Sequence, residues 1–96
     1  MSATPNLEQI AGEAKAVYQR GDFPAAAEAF ARAAEAYTAA GDVLMAAEMK
    51  NNQSVALLRI PRAEAALEAV RGTDEIFARA QDFRRQGMAL ANLAAV

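Results

Sequence analysis

Side chains able to do chemistry are scarce in this sequence. It has no histidine and no cysteine. That removes the usual general base, the commonest metal ligand, the thiol nucleophile and any disulfide. Carboxylates remain, with Glu8 near Glu13 and Glu64 near Glu68. Spaced along alanine-rich helical stretches, they read as solvated surface rather than as an acid–base pair. Tyr18 and Tyr37 fall at helical spacing among apolar residues and read as packing anchors. Gly12, Gly21, Gly41, Gly72 and Gly87 are isolated, so no phosphate-cradling loop is present. We expect no catalytic residue, no metal ligand, no cofactor and no enzymatic activity. The polar groups that stand out are two amides, Asn52 and Asn92. A side-chain amide offers both a donor and an acceptor, so it can pair with the backbone of a bound peptide. Asparagine is also a mediocre helix former. The alternative role is a bond to a neighbouring helix end, and the residue types alone leave both open.

The elements that must position these groups are helices. Of the 96 residues, 27 are alanine, and residues of the set AVILMFWYC make up 54%. Alanine loses no side-chain entropy on helix formation, and its small methyl lets helices approach closely. The length suits one domain covering 1–96, with a modest stability margin at this size. Formal net charge is −2: three basic and seven acidic residues up to Glu48, then seven basic and five acidic after it. Arg59 and Arg62, and the adjacent Arg84 and Arg85, are diluted by Glu64, Glu68, Asp74, Glu75 and Asp82. No dense basic stripe results, so nucleic acid is not an expected partner. No apolar stretch approaches the roughly 20 residues that span a bilayer, and no signal peptide is apparent, so no membrane partner is expected. Lack of cysteine fits a reducing cytoplasm. Eight arginines against two lysines, with the high alanine content, hint at a GC-rich bacterial genome.

Shifting the sequence by 40 residues aligns its informative positions without a gap. Asp42 falls on Asp82, Asn52 on Asn92, Ala26 on Ala66, Phe30 on Val70 and Tyr37 on Phe77. Val43 falls on Phe83, Ala47 on Gly87 and Ser54 on Ala94. The chain divides into one repeat at about 6–40, a second at about 43–80 and a half repeat at 83–96. Thr4-Pro5-Asn6 opens the first helix, with capping-box spacing from Asn6 to Gln9. Arg20-Gly21-Asp22 and Ala40-Gly41-Asp42 each pair a glycine able to go left-handed with an aspartate able to cap the next helix. Ile60-Pro61 and Gln81-Asp82 make the remaining breaks. Five helices follow, at roughly 6–20, 23–40, 43–59, 61–80 and 83–95. Gly72-Thr73-Asp74 falls inside the fourth. Glycine there costs about 1 kcal/mol and Thr73 is able to cap, but the unbroken register predicts a weakened, continuous helix. Lys50, in the place of Ile10 and Leu90, is expected to pack its stem and extend its ammonium to water. Short links make consecutive helices antiparallel neighbours, and stacked hairpins sharing a core form an all-α solenoid.

Tyr18-Gln-Arg-Gly-Asp-Phe23-Pro-Ala-Ala26, with Phe30, Ala33 and Tyr37, resembles the tetratricopeptide repeat signature. Asn52 near Leu57, with Ala66-Leu67, resembles a degenerate second copy, and Asn92-Leu93-Ala94 the start of a third. The usual repeat of that family is 34 residues. The 40 here implies longer helices, similar to its extended-repeat members. The resemblance implies a module that binds other proteins, with peptides lying on a concave face lined by the first helix of each repeat. Those helices are the first, third and fifth. On them, Glu8, Lys15 and Gln19, then Glu48, Asn51, Asn52, Val55 and Arg59, then Met88 and Asn92 become the expected binding residues. Members that hold chaperone tails use a clamp of lysines, an arginine and asparagines. At Ala11, Lys15, Asn52, Met88 and Asn92, only Asn52 has the expected identity, so such tails are not the expected ligand.

The partner is therefore expected to be another protein, in the cytoplasm. The alternative is structural. From Met88 onward the last helix is apolar on nearly every side, and a terminal solenoid helix normally needs a polar outer face. Leu90, Leu93 and Val96 are its candidate contacts with a second copy of the chain, or with a following domain of a longer parent protein.

Overall fold

The computed structural model describes residues 6–60 and 62–95, and every regular element among them is α-helical. The helices are α1 (Leu7–Gln19), α2 (Phe23–Ala39), α3 (Val43–Arg59), α4 (Ala63–Val70), α5 (Thr73–Arg79) and α6 (Phe83–Ala95). Pro61 and Val96 lie outside the described residues.

One three-residue device ends three of these helices. At Arg20-Gly21-Asp22, the Gly21 N–H donates to Tyr18 O at 2.9 Å and the Asp22 N–H to Val17 O at 3.4 Å. Ala40-Gly41-Asp42 and Ala80-Gln81-Asp82 repeat the pair of bonds with the same spacing. This is the Schellman closure, whose middle residue must be left-handed. Gly21 and Gly41 adopt φ of 84° and 80°, and Gln81 is driven to 57°. The aspartate then caps the following helix. Asp22, Asp42 and Asp82 accept from the N–H groups of Ala25, Met45 and Arg85 at 3.3, 3.1 and 3.1 Å. Asn6 caps α1 in the same manner, accepting from the Gln9 N–H at 3.0 Å. The Gln9 side-chain NH2 donates onward to Glu13 Oε1 at 3.2 Å.

The fourth expected helix is not continuous. It divides into α4 and α5 at Arg71 (φ −58°, ψ 126°) and Gly72 (φ 81°, ψ −6°). Those angles are the two central positions of a type II turn, and the second strongly favours glycine. The break frees the Val70 carbonyl, and the Thr73 hydroxyl satisfies it at 2.8 Å while also facing Asn51 Oδ1 at 3.2 Å. Thr73 thus closes the end of α4 rather than capping α5, whose N-cap is Gly72.

Burial nevertheless keeps the 40-residue register across the break. Ala26 and Ala66, Phe30 and Val70, Ala33 and Thr73, Tyr37 and Phe77 are all buried. Helix α2 packs on α1 and α3. Helix α3 carries α4 and α5, and α6 lies against α5, α3 and α4. The result is a slab of 45 × 32 × 19 Å, about two helix diameters thick. The core has two parts. The larger joins α1 to α4, with Phe30, Tyr37, Met49 and Leu57 set among alanines. The smaller joins Ala47 of α3, Phe77 of α5 and Ala89 of α6. Fully buried, Phe77 contributes roughly 1.5–3 kcal/mol of transfer free energy to that second contact. Lys50 is exposed.

Candidate functional site

A cleft of about 230 Å³ lies where α1 and α3 stand over α2. Lys15, Tyr18 and Gln19 line it from α1, Phe30 from α2, and Asn52 and Val55 from α3. Drug-sized pockets usually measure about 300–1,000 Å³, so this smaller cleft has room for one or two side chains. Its lining is mainly apolar, with three polar side chains at the rim.

Steps of three and four residues set the walls. Glu8, Gly12, Lys15 and Gln19 follow one another along one face of α1, and Glu48, Asn52, Val55 and Arg59 along the matching face of α3. The second set is the first displaced by 40 residues. Sequence reasoning placed Asn51 on this face. One residue further back is about 100° round the helix, and Asn51 turns into the core, 7% exposed, with its side chain 3.2 Å from the Thr73 hydroxyl. Asn51 therefore does not line the cleft. Asn52 stays half-buried at the cleft rim.

At the C-terminal end of the groove, the Tyr18 and Phe23 rings meet edge to face at 5.1 Å. The Arg59 guanidinium lies 4.6 Å from the Phe23 centroid. An exposed cation–π contact of this kind contributes about 0.5–1 kcal/mol and fixes the direction of the charge.

The N-terminal end is acidic. Burial raises the Tyr37 hydroxyl above the usual tyrosine value of 10.0, and the carboxylates of Glu8, Asp42 and Glu48 raise it further. Glu8 is exposed, whereas Glu48 is half-buried and pairs with Arg85 at 3.2 Å. Arg85 also reaches Asp82 at 3.4 Å and the Met45 sulfur at 4.0 Å. It thereby ties α6 to α3. Sequence reasoning treated Arg85 only as one diluted basic residue. The signal was its place three residues after Asp82 and exactly one repeat after Met45.

Met88 and Asn92 do not join the cleft. Met88 is 56% exposed on α6, and Asn92 is half-buried there. Of the apolar residues assigned to self-association, Leu90 is 48% exposed. Leu93 is half-buried, four residues on from fully buried Ala89, so it turns partly toward its own chain. Among the described residues, no helix is long and apolar enough to cross a membrane. Comparison with protein-family models, with curated proteins and with solved structures finds no match.

Proposed function

We propose that this chain is a tetratricopeptide-like interaction module, catalysing nothing, that receives a segment of another protein in the groove between α1 and α3. The observation that carries the reading is the cleft itself. Four residues chosen from helical spacing, Lys15, Gln19, Asn52 and Val55, line one cavity with Tyr18 and Phe30. A side chain entering it loses water against Phe30 and Val55, at about 25 cal/mol per Å² of apolar surface. The Asn52 amide is placed to pair with the backbone of the same segment. The repeated burial pattern supports a solenoid built from helix hairpins. A cytoplasmic, bacterial setting belongs to the proposal on composition alone.

Selection from a displayed random-peptide library tests it. Enriched peptides should bind the wild type and lose affinity for Val55→Glu, with the circular dichroism of the variant unchanged. Peptides that bind both proteins equally would place the site elsewhere.

A second reading has its own support. Phe83, Met88 and Leu90 are 70%, 56% and 48% exposed. Phe83 and Leu90 are seven residues apart and share one face of α6. Self-association through that face predicts a dimer in sedimentation equilibrium that Leu90→Glu dissolves. A wild type that stays monomeric at high concentration rules it out.

A further inference from the structure

The two walls of the groove carry the same charge order. On α1, Glu8 precedes Lys15 by seven residues, about 10 Å along the axis. On α3, Glu48 precedes Arg59 by eleven, about 16 Å. In each wall the acid stands near the N-terminus and the cation toward the C-terminus. The 40-residue displacement sets the two walls side by side in the same sense.

Neighbouring charges reinforce both ends. Asp42 joins Glu8 and Glu48 around Tyr37, Asp82 adds a fourth carboxylate beside Glu48, and Arg85, shared by these last two, offsets one of the four. At the other end Arg20, exposed at the close of α1, joins Lys15 and Arg59, and the α2 cap Asp22 offsets one. The acidic end keeps a net charge of about −3 and the other end about +2. Glu8, Lys15 and Arg59 make no ion pair among the described residues. Their charges are open to a ligand. Interactions between exposed charges are screened over about 8 Å at physiological salt, so the two ends act separately on whatever lies between them. The apolar cleft at Tyr18, Phe30 and Val55 lies along the same groove. The order ends at α6, where Met88 and Ala95 stand one repeat after Glu48 and Val55.

We propose that the groove selects a bipolar peptide segment, with one apolar side chain in the cleft, a cationic residue toward Glu8 and Glu48, and an acidic residue toward Lys15 and Arg59. This rests on the groove being the binding surface. A uniformly charged peptide gains at one end and is repelled at the other. A bipolar peptide in the wrong direction is repelled at both. Charge order therefore sets direction as well as affinity.

The test uses fluorescein-labelled nine-residue peptides with a central leucine and five flanking patterns: acid then base, base then acid, all acidic, all basic and neutral. One of the two bipolar orders should bind about five- to tenfold more tightly than the other four peptides, as expected for two exposed charge pairs. The exchange variant Glu8→Lys with Lys15→Glu keeps net charge and changes only solvent-facing positions. It brings both ends close to neutral, because Glu48 and Arg59 are left in place, and should erase most of the preference between the two bipolar orders. Bipolar peptides that bind no better than uniform ones, or an unchanged preference in the exchange variant, overturn the inference and leave the groove as a binding surface. If no peptide binds, and neither do the library-selected peptides, the groove reading fails and takes this inference with it.

Discussion

Ser54 is fully buried, and its hydroxyl finds no hydrogen-bond partner among the described residues. Stranding such a group costs about 1–3 kcal/mol. One repeat to either side the same position is alanine, at Ala14 and Ala94. Ser54→Ala should therefore raise the stability measured by urea unfolding, by up to about 1 kcal/mol, with unchanged helicity; a clear loss would show that the hydroxyl has a partner. The adjacent asparagines divide in a related way. Asn51 holds the Thr73 hydroxyl inside the core, whereas Asn52 borders the cleft. Asn51→Ala should cost about 1 kcal/mol of stability, the usual net value of such a bond. Asn52→Ala should cost less than about 0.5 kcal/mol and should weaken peptide binding instead. The reverse pattern would exchange their roles. Helical spacing puts Lys15, Gln19, Asn52 and Val55 along facing stripes, but it cannot say which of two neighbours turns inward. That depended on the buried Thr73, a partner 22 residues away.

Helix boundaries were the most legible feature of the sequence. A left-handed residue followed by a capping aspartate, at Gly21-Asp22, Gly41-Asp42 and Gln81-Asp82, precedes α2, α3 and α6, which lie within a residue of their expected limits. The interruption between α4 and α5 was not legible. Register and composition allowed a continuous helix, and the choice turned on the type II turn and on Thr73 satisfying the Val70 carbonyl. Two substitutions probe these backbone conformations. Gln81 occupies the place of Gly41 with φ of 57°. A non-glycine residue there costs about 1–2 kcal/mol, so Gln81→Gly should recover about 1 kcal/mol in thermal or denaturant unfolding. Gly72→Ala meets no atom within 4 Å yet must hold φ of 81°, so it should lose a similar amount through the backbone alone. Equal stability in both variants would mean that these residues leave the left-handed region in solution.

Across the whole molecule, the slab presents an acidic edge at the N-termini of α1 and α3, where Tyr37 records the field. In the unfolded chain a tyrosine ionises near pH 10. In the folded protein burial and three carboxylates hold Tyr37 protonated to higher pH. Its contribution to stability is thus complete below about pH 10, and is lost as pH rises from there through the folded value. Unfolding followed from pH 9 upward should show this alkaline decline, and Tyr37→Phe should remove its share. An unchanged decline in the variant would assign it to other groups. The all-helical class and the composition of the groove walls could be read from the 40-residue period. The acidic edge, with Arg85 bridging Glu48 and Asp82, required the packing of α6 on α3. The proposed partner lies in the groove between α1 and α3. Titrating a library-selected peptide into the isotope-labelled protein and mapping amide shifts by nuclear magnetic resonance tests this most directly. The largest shifts should fall on Lys15–Gln19 and Asn52–Val55, with smaller ones at Glu8 and Arg59. Shifts confined to α6, or to the faces of α2 and α4 turned away from the cleft, would contradict it.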